Sequence, residues 1–399
     1  GHSADQVGEA AVVTRSTAVP DANPECRAAL ERGIPLFGRP EVLGAISALR
    51  HTIAVAGTHG KTTTSSMLAL VLREAGLRPS FIIGGDVNEI GTGAAWDGGD
   101  LLVVEADESD GSFLELSTRF GLVTNLEPDH LEHHGGFDPL LDAFDRFVEA
   151  VDGPVVVGVD DAEGAALAAR HGTATVGTSA GSDWRLSGVV ESWEGVRFTL
   201  TGPVTGAFGL ELPVPGLHNA RNAASAAAVA VLAGATPEAV VSALARFGGV
   251  ARRFEHRGQA AGVVLVDDYA HLPTEVGAVL ATARSGGFSR VVAVFQPHRF
   301  SRTEALWSSF GGVFDDADVL YVTDVYPSGE APRPGVSGQL VADAVVRDRP
   351  GADVRYVARR EDLLDALVGE LREGDLCLTM GAGDLTAVPD QLRTRLGAF

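Results

Sequence analysis

The sequence predicts an α/β protein whose sheets are mostly parallel and carry helices on their faces. Three observations predict this class. Apolar, β-branched runs alternate with helical stretches between about residues 46 and 248, a second alternating series follows Ala251, and a glycine-rich turn containing Gly-Lys-Thr joins one apolar run to a helix. Strands that alternate with helices usually form βαβ units. In such sheets ligands bind beyond the carboxyl ends of the strands, which is where we expect functional residues.

Length and composition limit the class further. The 399 residues suit two or three domains, and an apolar content of 45% is typical of globular proteins. The formal net charge of −22 disfavours nucleic acid and acidic membranes as partners, because both bind basic surfaces. No apolar run reaches the roughly 20 residues of a membrane span, no segment is typical of a signal peptide, and the two cysteines lack metal-ligand spacing. We expect a cytoplasmic protein with reduced thiols, either a monomer or a weak homodimer.

The chain divides into three regions. Residues 1–45 contain a strand-like run at 10–14 and one short helix, and we expect them to be the remnant of an N-terminal domain whose beginning is missing. Residues 46–248 form a central domain, in which a meander between about 183 and 214 predicts added antiparallel strands. Residues 249–399 form a C-terminal domain. The clearest expected strands are 52–56, 101–105, 120–124, 154–159, 263–266, 291–295, 319–322 and 376–380.

One lysine stands out among the basic residues. Of 31 basic residues, one is Lys61 and all the others are arginines. Lys61 lies in a turn whose glycines allow the backbone to wrap around phosphate oxygens. The helix that follows the turn points N–H groups at the same anions. Lys61 would reach terminal phosphates and the Thr62 hydroxyl would ligate Mg²⁺, although Val55 replaces the first glycine of the strict pattern. The predicted nucleotide-binding turn consists of Gly57, Thr58, His59, Gly60, Lys61, Thr62 and Thr63.

A carboxylate and a histidine follow two other expected strands. Glu105 ends an apolar run and opens the acidic stretch Glu-Ala-Asp-Glu-Ser-Asp, and His130 ends the stretch Thr-Asn-Leu-Glu-Pro-Asp-His. Because Mg²⁺ beside a phosphate prefers one or two carboxylates and several waters, Glu105 is a candidate ligand. The aspartates after it are equally typical of a solvated turn. His130 is a second candidate, since it lies at the carboxyl end of a neighbouring strand.

Nine stretches, in order along almost the whole chain, resemble the Mur ligases, the amide-forming enzymes of peptidoglycan precursor synthesis. The resemblance implies three domains: a Rossmann-like N-terminal domain, here truncated, a central P-loop ATPase-like α/β domain and a Rossmann-like C-terminal domain. It also implies a ligase that uses ATP and Mg²⁺, and it is strongest to the branch that joins L-alanine to the lactyl carboxylate of UDP-N-acetylmuramate through an acyl phosphate. The stretches are residues 57–64, 105–113, 124–130, 216–222, 249–258, 267–276, 295–302, 324–330 and 381–384.

The resemblance assigns the catalytic and metal positions. Thr62 and Glu105 would hold one Mg²⁺, and His130 would hold a second ion between the γ-phosphate and the carboxylate of the substrate. Arg253 would clamp the γ-phosphate with its planar guanidinium, beside Lys61. Phosphoryl transfer is catalysed mainly by positioning and charge neutralisation, and these residues would supply both.

The resemblance also assigns the binding positions. Asn219 and Asn222, three apart at a helix start and therefore on one face, would face the adenine, and Asp268 would bind the ribose. An arginine pair suits a carboxylate ligand. The positions that match the alanine site, with the first also counted as catalytic, are His271, Arg299 and Arg302.

The chain departs from the family pattern at two places. Leu272 follows His271 where the family has two histidines, so we assign the contact to His271. The glycine-rich turn that opens the first domain of the family is missing, which leaves Ser16 or His2 as the candidate contact for the UDP group. Sister ligases use a carbamylated lysine at the metal, and a chain whose one lysine is Lys61 lacks it. This favours the alanine-adding branch.

Two other hypotheses stay open. A recycling ligase that attaches a murein tripeptide to the same sugar nucleotide shares the phosphate loop, although Ser109 stands where that family has a tyrosine. An ATP-binding remnant without ligase activity is compatible with the missing N-terminal part. The candidate site residues that are present argue against it: Lys61, Glu105, His130 and Arg253. The dependence of ADP release on the added amino acid separates the three hypotheses.

Overall fold

The structure, a computed structural model, describes residues 1–16, 19–109, 111–129 and 134–397. These residues form three sheets, of two, ten and six strands, and the α/β class predicted from the sequence is confirmed. Among them, no helix combines the length and the apolar character needed to cross a membrane.

The first sheet is a small parallel pair, β1 (Val13–Arg15) and β2 (Leu36–Gly38). Helix α1 (Pro24–Glu31) lies between the two strands, and α2 (Arg39–Ser47) follows them. Asn23 starts α1 because its side chain accepts hydrogen bonds from two N–H groups of the first turn. Strand β1 begins later than the expected run at 10–14, since pairing starts where the Val13 N–H donates to the Pro35 carbonyl.

In the second sheet, the glycine turn that is predicted to bind phosphate follows one of the inner strands. Its strands are β3 (His51–Ala56), β4 (Ser80–Val87), β5 (Thr92–Ala95), β6 (Leu101–Glu105), β7 (Thr118–Val123), β8 (Val155–Gly158), β9 (Ala174–Gly177), β10 (Trp184–Ser192), β11 (Gly195–Gly202) and β12 (Gly206–Leu212). Their spatial order is β12-β11-β10-β9-β8-β7-β3-β6-β4-β5. In this order, each strand from β10 across to β4 runs parallel to its neighbours within that stretch, and the edge strand β5 pairs with β4 in the antiparallel direction. The predicted antiparallel meander is confirmed as β10 to β12.

Helices cover both faces of this sheet. One face packs against α3, α6 and α7, and the other against α4 and α5. The buried side of α6 is mostly alanine, which allows α3 to approach it closely. The helices are α3 (Lys61–Glu74), α4 (Phe137–Ala150), α5 (Ala162–His171), α6 (Leu217–Leu232) and α7 (Pro237–Leu244).

The third sheet has the order β13-β14-β18-β15-β16-β17 and is parallel except for β13. Two separate apolar clusters line its faces. Its strands are β13 (Glu255–Ala260), β14 (Val263–Asp268), β15 (Arg290–Phe295), β16 (Val319–Val322), β17 (Val354–Tyr356) and β18 (Asp375–Met380). Its helices are α8 (Pro273–Arg284), α9 (Phe300–Leu306), α10 (Gln339–Asp348), α11 (Arg360–Glu370) and α12 (Val388–Leu396).

The predicted domain boundaries fall at different kinds of position. The boundary at 45 lies inside α2, whereas the boundary at 248 lies between α7 and β13. The division into domains 1–45, 46–248 and 249–399 stays a prediction.

Candidate active site

The phosphate loop, residues 57–60, connects β3 to α3 at the carboxyl edge of the central sheet. Gly57 has a φ of 125°, and a Cβ there would lie 2.2 Å from Thr124 Oγ1. Gly60 has a φ of 77°, and a Cβ there would lie 2.4 Å from Asn222 Oδ1. Backbone conformation and space both require glycine at these positions. The loop is therefore pressed against the end of β7 and the start of α6.

The segment after β7 holds the loop by hydrogen bonds. The Thr58 hydroxyl donates to the Glu127 carbonyl (3.2 Å) and accepts from the Glu127 N–H (2.9 Å). The His59 N–H donates to Asn125 Oδ1 (2.8 Å), and the Thr124 hydroxyl donates to the His59 carbonyl (2.7 Å). Protein contacts thus fix the loop backbone, which lowers the ordering cost of binding a ligand there.

Lys61 begins α3 and folds back over the loop. Its Nζ donates to the carbonyls of Gly57 (2.7 Å) and Thr58 (3.2 Å) and to Glu108 Oε1 (2.8 Å). Burial alone would lower the pKa of Lys61. The charge and the hydrogen bond of Glu108, together with the charges of Asp107 and Glu105, outweigh burial, so the pKa is raised. Burial also raises the pKa of Glu108 to about 7, although Lys61 opposes the shift. Glu108 was not predicted as a site residue, because it lies in an acidic stretch that is typical of a solvated turn.

The two described metal candidates lie in direct contact. The Thr62 hydroxyl donates to Glu105 Oε1 (2.8 Å), and Glu105 Oε2 accepts from the Gly84 N–H (2.6 Å). A hydroxyl and a carboxylate beside a phosphate loop are oxygen donors that suit Mg²⁺, so these residues fit the ion. His130 lies outside the described residues. Within the part of the chain that the structure describes, no cluster of three or more His, Cys, Asp or Glu side chains is placed to hold a metal.

A cavity of about 390 Å³ opens beside the phosphate loop and is lined from both the central and the C-terminal sheets. Its volume lies in the range of small-molecule sites. The side chain of Asn219 is oriented by a hydrogen bond from Nδ2 to the Pro215 carbonyl (2.7 Å). The structure brings most of the predicted nucleotide residues to this cavity. Those that line it are His59, Gly60, Thr63, Asn219, Asn222, Arg253 and Asp268.

Arg253 and Asp268 reach the cavity from the C-terminal side. Asp268 ends β14, is buried, and accepts from the N–H groups of Phe254 (2.7 Å) and Ala270 (2.6 Å). Burial raises the pKa of Asp268 to about 6, although Arg253 and both N–H groups act in the opposite direction. The Arg253 guanidinium lies over the Tyr269 ring, 5.1 Å from its centroid. This contact orients the guanidinium by a cation–π interaction.

The loops after β14 and β15 form what we call the C-terminal arm: His271, His298, Arg299 and Arg302. Arg299 precedes α9 with a φ of 67°. Arg302 lies one turn later and is 9% exposed. Its guanidinium donates to His298 Nδ1 (3.0 Å) and, across to the central sheet, to Asp129 Oδ1 (3.1 Å). The His271 and His298 rings lie 5.6 Å apart, so the arm brings the predicted alanine-site residues together.

The histidines of the arm are kept neutral. Burial lowers the pKa of His271 to about 4 and that of His298 to about 3, and the charge of Arg302 acts in the same direction on both. A neutral imidazole keeps one nitrogen as a hydrogen-bond acceptor, which His298 uses toward Arg302. His298 and Asp129 were not predicted as site residues, although both lie inside the stretches that resemble the family.

His59 joins the phosphate loop to the C-terminal sheet. Its Nε2 lies 3.1 Å from Glu127 Oε2, and its Nδ1 lies 3.1 Å from Glu275 Oε1. Burial alone would lower the pKa of His59, but the hydrogen bonds with Glu127 and Glu275 raise it to about 9. Glu275 was also missed. It lies three residues after Leu272, the residue that precedes the helix, and a glutamate at that spacing was an available signal for a capping role.

Ser16 lies away from this cavity. It lines a separate depression of about 350 Å³ in the first region of the chain. The other residues of that depression are Arg15, Val19, Pro20, Asp21 and Gly38. Its predicted contact with a UDP group stays a prediction.

Two family models match the chain. The model described as Mur ligase middle domain matches residues 55–230, and the model described as Mur ligase, glutamate ligase domain matches residues 252–383. The matched ranges contain the phosphate loop, the cavity and the C-terminal arm.

Full-length relatives and solved structures agree with these matches. A protein of Nitratidesulfovibrio vulgaris named UDP-N-acetylmuramate–L-alanine ligase is 45% identical over 97% of this chain and 86% of its own length. A protein of the same name from Kineococcus radiotolerans is 48% identical over 94% and 80%. The crystal structure of UDP-N-acetylmuramate-alanine ligase MurC from Thermotoga maritima matches with a TM-score of 0.84 and 28% identity, over 100% of this chain and 88% of the other. A murein peptide ligase structure from Psychrobacter arcticus, at 24% identity and a TM-score of 0.69, shares the fold.

Proposed function

The chain belongs to the Mur ligase family, and we propose that it joins L-alanine to the lactyl carboxylate of UDP-N-acetylmuramate while ATP is converted to ADP and phosphate. One observation carries the proposal: the phosphate loop and the carboxyl end of β14 contribute to a single cavity. A nucleotide held there places its phosphates at the loop of the central sheet. The C-terminal arm then supplies the second binding site that a ligase requires.

The reaction has two chemical steps. An oxygen of the substrate carboxylate attacks the γ-phosphorus of ATP, the bond to the ADP oxygen breaks, and an acyl phosphate forms. The alanine amine then attacks the acyl carbon, and the tetrahedral intermediate expels inorganic phosphate and a proton to leave the amide. Both steps gain most from positioning and from neutralising charge on phosphate oxygens.

Lys61 and Arg253 supply that neutralisation from opposite sides. The Lys61 ammonium lies against the loop carbonyls, and the Arg253 guanidinium lines the cavity. Lys61 exchanges Glu108 for the phosphate when the nucleotide binds, because the three donors of its ammonium are already used. Asn219 and Asn222 face the adenine, and Asp268 accepts from the ribose.

Mg²⁺ completes the nucleotide site in this proposal. Thr62 and Glu105 would hold one ion, and His130, which lies outside the described residues, would contribute to a second. An ion held there would supply positive charge that neutralises phosphate oxygens. The support is the direct contact between the Thr62 hydroxyl and the Glu105 carboxylate.

The arm binds the amino acid. Arg302 and Arg299 hold the carboxylate of alanine, and neutral His271 lies beside them to accept from the amine. The contact between Arg302 and Asp129 means that both large sheets take part in this site. A cytoplasmic location, a monomeric or weakly dimeric state, and the absence of nucleic-acid and membrane partners remain predictions from composition.

ADP release tests the proposed function. The protein is supplied with UDP-N-acetylmuramate, ATP and Mg²⁺, and L-alanine is compared with glycine, L-serine and the murein tripeptide. We expect ADP to appear with L-alanine at a rate well above that with the tripeptide. Preference for the tripeptide would instead identify a recycling ligase. Nucleotide binding without amino-acid-dependent ADP release would identify an inactive remnant.

A further inference from the structure

We propose that His59 and Glu275 are positioning residues that couple occupation of the phosphate loop to the placement of the C-terminal arm. We call this pair the clasp. The inference rests on the proposed function, since it takes the nucleotide and the amino acid as the two ligands that are coupled.

The clasp joins elements that are remote in the chain. His59 lies in the phosphate loop, and Glu275 lies in the first turn of α8, 216 residues later. Both side chains are largely buried, with 14% and 13% of their surfaces exposed, and their charged atoms are 3.1 Å apart. A buried, hydrogen-bonded ion pair is costly to separate, because each partner would be left uncompensated. Movement of the loop therefore has to be followed by movement of α8 or by loss of the pair.

Glu275 passes the constraint on to the arm. Its Oε1 faces His59, and its Oε2 accepts from the backbone N–H groups of His271 (3.0 Å) and Leu272 (3.2 Å). The same oxygen lies 3.4 Å from His271 Nδ1. One carboxylate thus bonds the phosphate loop with one oxygen and the start of the arm with the other. Because these bonds reach the His271 backbone, they set where its ring lies.

A neighbouring contact strengthens the connection. Glu127 contacts the other nitrogen of His59, and two residues later Asp129 contacts Arg302 of the arm. Arg302 and Asp129 are themselves buried, with 8% and 7% of their side chains exposed. The segment after β7 therefore meets the arm twice, once through His59 and Glu275 and once directly. A nucleotide that fixes the phosphate loop also fixes the arm before the amino acid arrives.

Three variants test the clasp: His59→Gln, Glu275→Gln and the double variant. Glutamine at position 275 keeps an oxygen that caps α8, while the charge that attracts His59 is removed. The first measurement is equilibrium binding of a nonhydrolysable ATP analogue, which needs no turnover. We expect each single variant to bind about tenfold more weakly, since a charge-assisted hydrogen bond is lost. The double variant should bind about as weakly as either single variant, because residues in one contact are not additive.

The second measurement is the KM for alanine in steady-state ADP release. His59→Gln should raise this KM about tenfold, although the residue lies in the phosphate loop, because the arm loses its support. His171→Gln is the matched control. It removes a histidine–carboxylate pair of similar geometry, His171 with Asp145 at 2.6 Å, that joins α5 to α4. We expect the control to change neither binding nor the KM for alanine.

Additive losses in the double variant, or an unchanged KM for alanine in His59→Gln, would overturn the clasp. If His59→Gln does not fold, as judged by its thermal midpoint, Glu275→Gln decides alone. The clasp requires weaker nucleotide binding in that variant, whereas simple removal of a negative charge from the cavity would strengthen it. A wild-type protein that releases no ADP with any amino acid refutes the proposed function. The binding measurements still decide the clasp in that case.

Discussion

The phosphate loop and the C-terminal arm hold their cationic side chains in different ways. All three donors of the Lys61 ammonium are engaged, two by loop carbonyls and one by Glu108. The guanidinium of Arg302 uses two of its five donors toward His298 and Asp129 in the described residues. In the proposed function, the loop binds an anion by exchange, because the polyphosphate displaces Glu108. The arm binds one by addition, because the carboxylate of the amino acid is added to the existing contacts of Arg302.

Replacement of Lys61, the cation that would exchange Glu108 for phosphate, should have the largest effect on turnover. We expect Lys61→Ala to lower kcat/KM by about a thousandfold or more, since a preorganised donor to the transferring phosphoryl group is lost. The thermal midpoint should stay close to that of the wild type, because Glu108 is readily protonated once its partner is gone. Steady-state ADP release and circular dichroism measure the two quantities.

Glu108→Gln is the companion variant for Lys61→Ala. It keeps the ammonium and removes the carboxylate that competes with phosphate, so it should lower kcat/KM far less than Lys61→Ala does. Wild-type turnover in Lys61→Ala would show that exchange at the loop plays no part in catalysis.

Replacement of Arg302 should have an intermediate effect that is selective for alanine over ATP. We expect Arg302→Ala to raise the KM for alanine by about 10- to 100-fold, the value of a hydrogen bond to a charged group, and to change the KM for ATP much less. Arg347→Ala, which removes a half-exposed arginine paired with Asp348, is the matched control and should change neither KM. Equal increases in both KM values for Arg302→Ala would remove Arg302 from the amino-acid site.

The smallest expected effect is a difference in how pH changes stability in the two regions. The folded pKa of Glu108 is raised to about 7, so its contribution is present below about pH 4.5 and is lost as the pH rises through 7. The folded pKa of His271 is lowered to about 4, so its contribution is present above about pH 6.5 and is lost as the pH falls through 4.

Thermal midpoints between pH 4 and 8 measure this difference. Relative to the wild type, Glu108→Gln should gain stability as the pH rises, and His271→Gln should gain stability as the pH falls. Each change should amount to about 1–3 kcal/mol across the window, since one pKa unit corresponds to about 1.4 kcal/mol. If the stability of both variants relative to the wild type changed in the same direction with pH, the opposite pKa shifts of Glu108 and His271 would be contradicted.

The sequence predicted those features that depend on local pattern. Strand β3, the glycine turn and the start of α3 follow one another along the chain, so their geometry is encoded in adjacent residues. The roles of the predicted residues at these positions stay predictions, and His130 lies outside the described residues.

The partners of these residues were not predictable from one sequence. Arg302 meets Asp129 across 173 residues of chain, and Lys61 meets Glu108 across 47. Such contacts depend on how two sheets pack together, which leaves no period or spacing in the sequence. An acidic residue in a loop looks the same whether water or a buried ammonium faces it. Only the packed structure distinguishes the buried Glu108 from the more exposed Asp107 beside it.

Because the chain has a single lysine, proteolysis at that residue can measure local opening of the protein. A protease that cuts only after lysine has one peptide bond to attack in this chain, the bond between Lys61 and Thr62. That bond lies in the first turn of α3, and the lysine side chain is 13% exposed. Cutting therefore requires that the start of the helix opens, either locally or when the whole chain unfolds. If cutting is faster than global unfolding, its rate measures how often the start of α3 opens locally.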